Sequence, residues 1–155
     1  MEEVKINLGS GQQKLEGFIN IDNRLEMSPD VCCDVIAGLP FADSSVDMVR
    51  AWDFLEHIPL GKTVSVIEEI YRVLKPGGIF DSHTPDASRG QGAFQDPTHI
   101  SFWVKNSWLY YSNDLFRSLY NVKAKFQIDS INEIPDAGND HNGVYHLHVI
   151  ATAIK

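Results

Sequence analysis

A single α/β domain with a mixed, mostly parallel sheet and a terminal antiparallel strand pair is the fold class that this 155-residue chain predicts. Three features carry the prediction. Short β-rich runs alternate with helical or loop crossovers through the first half, a glycine turn follows the first run, and two long strand-like runs close the chain. A domain of this length buries about 68 to 70% of its unfolded surface, so its core needs no covalent staple.

The elements follow in order. Val4 to Leu8 and Phe18 to Asp22 are short apolar runs bounded by turn residues, and Val31 to Val35 and Val46 to Trp52 are the third and fourth. The period then changes. From Thr63 to Leu74 the apolar residues Ile67, Ile70, Tyr71 and Leu74 fall on one helical face. Lys75-Pro76-Gly77-Gly78 is expected to end that helix, because proline disfavours helical geometry before it and glycine accepts a left-handed turn. Ile79 to Thr84 reads as a fifth strand. Ser82 to Trp103, rich in Gly, Ser, Asp, Pro and aromatics, is long for a plain connection and is a candidate active-site loop. A helical stretch near Asn113 to Tyr120 precedes the strand-like runs Ala124 to Ile134 and Val144 to Ile154.

Composition excludes several classes. The formal charge of −8, with acids spread along the chain, argues against a nucleic-acid surface, which needs clustered Lys and Arg. No signal-peptide pattern opens the chain, and no apolar run approaches the roughly 18 residues that would span a bilayer, so a cytoplasmic location with no membrane partner is expected. The only two cysteines, Cys32 and Cys33, are neighbours, read as small buried strand residues rather than a disulfide or half of a zinc site.

The turn Asn7-Leu8-Gly9-Ser10-Gly11 lets a backbone approach a ligand and adopt positive φ. A dinucleotide fingerprint would need a third glycine where Lys14 stands, and an acid about 20 residues further on. Asp22 arrives much earlier, which disfavours a pyrophosphate ligand. A carboxylate at Asp22, ending the second strand, suits both hydroxyls of a ribose, and Asp34, ending the third, suits an exocyclic adenine amine. Together they outline an adenosine without phosphates.

These segments resemble the class I S-adenosylmethionine-dependent methyltransferases, above all their small members. The resemblance runs from Lys5 to Pro85 through INLGSG, GFINID, LPFADSSVDMV leading into LEH, and RVLKPGG, and thins to the DPTH of Asp96 to His99. It implies a Rossmann-like class I methyltransferase fold with S-adenosylmethionine as cofactor. By position, Gly9, Ser10 and Gly11 would line its methionine and ribose portion and Asp22 its ribose hydroxyls. Asp34 and Val35 would flank the adenine, with Trp52 and Asp53 at the amino-acid end. The chain departs from the family pattern between Gly11 and Phe18, where about one helical turn fits, so the first crossover helix is expected to be reduced or absent.

Methyl transfer to a hydroxyl or amine needs a group that takes a proton, and His57 and His99 are the candidate catalytic residues, with His83 a third and Asp96 able to orient His99. No pair among them has the spacing of HExxH, and no metal is expected. Most of the aromatics Trp52, Phe94, Phe102, Trp103, Trp108, Tyr110 and Tyr111 read as ordinary packing, and an exposed patch around Trp103 to Tyr111 would read as a lid or an interface. The acidic charge leans toward a small-molecule or sugar acceptor. The alternative is an inactive methyltransferase-like binding module or a subunit of a larger complex.

Overall fold

The computed structural model describes residues 3–136 and 143–155. Among them, seven strands make one sheet in the order β3-β2-β1-β4-β5-β7-β6. In chain order these are β1 (Lys5–Leu8), β2 (Ile19–Asp22), β3 (Val31–Cys32), β4 (Val46–Trp52), β5 (Leu74–Pro85), β6 (Phe126–Pro135) and β7 (Tyr145–Ala153). The pairs among β1 to β5 are parallel, and β7 runs antiparallel to both β5 and β6. The helices are α1 (Thr63–Val73), α2 (Gln91–Phe94), α3 (Leu109–Ser112) and α4 (Asp114–Leu119). The fold class expected from the sequence is the one observed.

Pleating divides the sheet into an apolar and a polar face. Ile6, Val49, Phe80 and Ala151 are register partners in one fully buried row. Against this face pack Val66, Ile67, Ile70 and Val73 of α1, and the aromatic rings of Trp103, Trp108 and Tyr111. The Phe80 ring centroid lies 5.8 Å from that of Trp108 and 5.9 Å from that of Phe126. Of the two readings of the aromatics, packing holds for these three, and the patch is not an exposed lid. Trp103, Trp108 and Tyr111 are buried, because the segment that carries them closes over the sheet. Three positions further along, the row Trp52, His83, His148 and Asn132 points the other way. There Asp81 takes hydrogen bonds from Trp52 Nε1 and His148 Nε2, each at 2.9 Å.

The first crossover has no helix. Its place is taken by two buried asparagines that are register partners, Asn7 on β1 and Asn20 on β2. Asn7 Nδ2 donates to Gln13 O at 2.9 Å and to Asn20 Oδ1 at 3.0 Å, while Asn20 Oδ1 also accepts the Leu15 N–H at 2.9 Å. Side-chain amides thus satisfy backbone groups that a helix would have paired internally.

Other boundaries moved for local reasons. β3 stops at Cys32, leaving Cys32 exposed rather than buried on a strand. Lys75 to Gly78 lie inside β5, where Leu74 pairs with Val46 and Ile79 with Met48, so the intervening residues bulge out. A bulge tolerates Pro76, which has no N–H to pair, and Lys75 Nζ anchors it on both oxygens of Asp47 at 2.8 and 2.7 Å. The helix expected near Asn113 is α4, capped by Asn113 Oδ1, which accepts the N–H of Leu115 and Phe116.

Candidate functional site

The carboxyl ends of β1, β2 and β4 open into a cavity of about 620 Å³, lined among others by Gly9, Asp22, Asp34, Val35, Asp53, Phe54, His57 and Thr98. A second hollow of about 350 Å³ lies along the glycine turn between Asn7, Ser10, Gly11, Gln12, Arg50 and Trp52. Gly9 and Asp53 line both, so the two meet as one trough. Its position at the carboxyl edge, where β1 lies between β2 and β4, is the ligand site of open α/β sheets.

The turn is built for close approach. Gly9 and Gly11 have φ of 69° and 46°, and a Cβ on Gly9 would stand 2.3 Å from the Phe54 ring. Asp22 fastens the turn to β2: its Oδ2 accepts the Gly11 N–H at 2.8 Å, and its Oδ1 accepts the Arg24 N–H at 2.9 Å and Arg24 Nε at 3.3 Å. Burial pushes the Asp22 carboxyl up, but the backbone N–H groups of Arg24 and Gly11 outweigh it and hold the carboxyl below the usual range. Three of the roughly four acceptor sites of this ionised group are filled, leaving capacity on Oδ2, and Asp22 lines the cavity. The buried Ser10 hydroxyl has no hydrogen-bond partner among the described residues.

Asp34 does not end a strand. It caps the 3-10 turn Val35–Ala37, accepting the Ile36 N–H at 2.9 Å, and stands on the cavity wall beside Val35. Trp52 ends β4 with its ring stacked on His83 at 4.9 Å and the Arg50 guanidinium 3.3 Å over it. Asp53 takes φ 47°, and its N–H donates to His83 O at 2.9 Å. Its Oδ1 lies 3.2 Å from His83 Nδ1 and 3.8 Å from His146 Nε2. Burial raises the Asp53 carboxyl, yet His83, then His146 and His57, bring it below its ordinary range.

His57 closes the 3-10 turn Leu55–His57 instead of starting a helix. His99 reaches the same place from the loop after β5, with ring centroids 5.0 Å apart. His99 is held by Ala93 O, 3.1 Å from its Nδ1, whereas Asp96 Oδ2 is 3.7 Å from its Nε2, beyond hydrogen-bond reach. Asp96 is occupied elsewhere, with its Oδ1 accepting Thr98 N–H at 2.8 Å and Thr98 Oγ1–H at 2.7 Å. The expectation that Asp96 orients His99 is therefore corrected to a backbone carbonyl doing so.

Residues 13–80 match the family model for a methyltransferase domain. The chain is 33% identical over 85 residues to a dimethylglycine N-methyltransferase of Parasynechococcus marenigrum, which is 55% of this chain and 30% of that relative. In fold it matches a SAM-dependent methyltransferase from Archaeoglobus fulgidus with a TM-score of 0.69 at 18% identity, covering 97% of this chain and 86% of that one. A SAM-dependent methyltransferase from Methanosarcina mazei gives a TM-score of 0.66 at 19% identity, over 99% and 94% of the two chains. The chain has the fold of the SAM-dependent methyltransferases it resembles, and its residues 13–80 match the methyltransferase-domain model. The match spans less than a third of the length of its curated relatives, 30% of one and 25% of another.

Within this methyltransferase fold the trough gathers Gly9, Ser10, Gly11, Asp22, Asp34, Val35, Trp52, Asp53 and His57, all expected from the sequence. His99 lies beneath His57 rather than on the trough wall, and His83 stands on the polar face of the sheet beside His146. Sequence reading missed Phe54, Arg24 and Glu56. Glu56 lies within the LEH segment and Phe54 directly before it, so the segment itself was the available signal. Arg24 carries none, since its role depends on the bend after β2. Among the described residues no helix is long and apolar enough to cross a membrane.

Proposed function

We propose that the chain binds S-adenosylmethionine in the trough and transfers its methyl group to a small-molecule or sugar acceptor. The observation that carries this reading is Asp22: a buried, ionised carboxylate at the end of β2, tied to the glycine turn and facing a cavity of about 620 Å³. That volume falls within the roughly 300 to 1,000 Å³ of small-ligand sites. A ribose diol takes the spare acceptor capacity of Asp22, and the unpartnered Ser10 hydroxyl and the Gly9 approach fit the chain that leads from the sugar. Asp34 and Val35 then flank the adenine, and Trp52 and Asp53 the amino-acid end.

The cofactor supplies a methyl group on a sulfonium, and the displacement removes positive charge from sulfur. The protein's part is alignment and exclusion of water, worth up to roughly 7 to 11 kcal/mol in the best intramolecular cases. His57 and His99 stand at the acceptor end. Ala93 O accepts from His99 Nδ1, which puts the proton on Nδ1 and the lone pair on Nε2. A ring nitrogen in that form takes a proton from an acceptor hydroxyl or amine.

The net charge of −8 supports a small acceptor over a nucleic acid. The helix-free first crossover favours a second reading, a methyltransferase-like binding module or subunit without turnover. Calorimetry with S-adenosylhomocysteine tests cofactor binding, and transfer of a labelled methyl group to a panel of small acceptors tests turnover. No heat of binding in a folded sample sinks the first reading, while binding without transfer across the panel favours the second.

A further inference from the structure

Two segments distant in sequence, Leu55-Glu56-His57 and Asp96-Pro97-Thr98-His99, meet beside the trough, and Glu56 at their junction has no role in holding a cofactor. Its side chain is 3% exposed as a residue, and apart from its own backbone N–H no donor among the described residues reaches either carboxylate oxygen. Removing an ionised carboxylate from water without a partner costs several kcal/mol. Such a group holds a proton or a cation.

The neighbours are metal-ligand types. One carboxylate oxygen of Glu56 and one ring nitrogen each of His57 and His99 lie within 4.8 Å of one another. Ligand atoms about 2.1 Å from a shared tetrahedral ion stand roughly 3.4 Å apart, so small side-chain rotations close the site. The contacts of both imidazoles favour a proton on Nδ1. His99 Nδ1 is 3.1 Å from Ala93 O and His57 Nδ1 is 3.3 Å from Thr98 O, and a carbonyl only accepts. The Thr98 hydroxyl gives its proton to Asp96 Oδ1, so its own 3.3 Å contact with His57 Nδ1 is an acceptor contact too. With Nδ1 held by backbone oxygen, Nε2 of each ring is left to bind an ion, as in metal-bound histidines, and Asp96 Oδ2 lies 3.7 Å from that of His99.

We propose that Glu56, His57 and His99 bind a divalent transition-metal ion of zinc-like preference, two imidazoles and one carboxylate, at the acceptor end of the trough. HExxH spacing is not needed, because the turn after β4 and the loop after β5 bring the three together. The metal site stands without the methyltransferase reading. Its consequence rests on it: an acceptor hydroxyl on an open position of the ion loses its proton more readily, and the histidines act as ligands rather than as proton carriers.

Co²⁺ titration of the metal-free full chain, followed by visible absorption and calorimetry, tests the site. The expected result is a single equivalent bound with tetrahedral-type absorption. Glu56→Gln and His99→Gln are each expected to weaken binding by more than the roughly 10- to 100-fold that loss of an outer-shell partner causes. His83→Gln, in the neighbouring Asp53, His83 and His146 group, is expected to leave it unchanged. No Co²⁺ binding by folded protein, binding indifferent to Glu56→Gln and His99→Gln, or binding lost in His83→Gln instead would each overturn the assignment. Circular dichroism checks folding, and His57→Gln, an exposed position, carries the test where Glu56→Gln does not fold. S-adenosylhomocysteine calorimetry on the same samples reads the methyltransferase proposal separately.

Discussion

Glu56→Gln replaces the buried carboxyl with a neutral group of the same shape, and its effect on stability must depend on pH in one direction. The folded Glu56 carboxyl lies at about 8 against an ordinary 4.5, mainly because burial disfavours its charged form. Between those values the folded chain holds a proton that the unfolded chain has released, so stability falls as pH rises. The shift of about 3.5 units, at 1.36 kcal/mol each, corresponds to roughly 5 kcal/mol over the whole window. From about pH 6 to pH 8 the wild type should lose about 2 kcal/mol relative to Glu56→Gln, since the last part of the window lies within the folded group's own titration. For a domain of this size that is a relative fall in Tm of about 4 to 8 °C. Thermal unfolding of both proteins by circular dichroism across this range, with a chelator so that no cation takes the proton's place, isolates the Glu56 contribution. A difference in Tm that stays constant with pH, or that changes in favour of the wild type as pH rises, refutes the reasoning.

Asp22→Asn keeps the shape but removes the charge that accepts from Gly11, Arg24 and a ribose, and loss of one charge-assisted bond of about 1.5 to 3 kcal/mol should weaken S-adenosylhomocysteine binding by about 10- to 150-fold in calorimetry. An unchanged affinity would remove Asp22 from the site. Gly9→Ala meets both positive φ and the Phe54 ring 2.3 Å away, so a cost of about 1 to 3 kcal/mol in denaturant unfolding is expected, with weaker cofactor binding as Phe54 is displaced. Asn7→Ala unpairs Gln13 O and one contact of Asn20, and a loss of about 1 to 3 kcal/mol should appear together with faster amide exchange at Leu15; full protection there would show that Asn7 does not hold the crossover.

The sequence by itself determined the features whose causes are local. Alternation in β7, the helical period of α1 and the turn-forming Gly9 and Gly11 follow from pleat, pitch and positive φ, so the mixed sheet and the glycine end of the trough were legible. The brevity of the stretch between Gly11 and Phe18 likewise announced a crossover without a helix, although not that Asn7 and Asn20 would hold it. Asp34 lies on the cavity wall but does not end a strand, because an apolar run does not distinguish two strand residues followed by a capped 3-10 turn from a longer strand.

Tertiary structure decided what depends on chain segments meeting from afar. Trp103, Trp108 and Tyr111 look alike as surface or core until the segment is seen to close over Phe80. Thr98 reaches His57 from 41 residues away, and only that meeting shows His99 held by Ala93 rather than by Asp96. Glu56 is the sharpest case. Its neighbours in sequence say helix turn and solvent, whereas its burial without a donor arises because the loop after β5 seals it in, hydrogen-bonding its backbone carbonyl through Ile100 and Ser101 at 2.9 and 3.0 Å. Hydrophobic period and turn chemistry are written residue by residue, but the dielectric around a charge is set by whatever the fold lays on top of it.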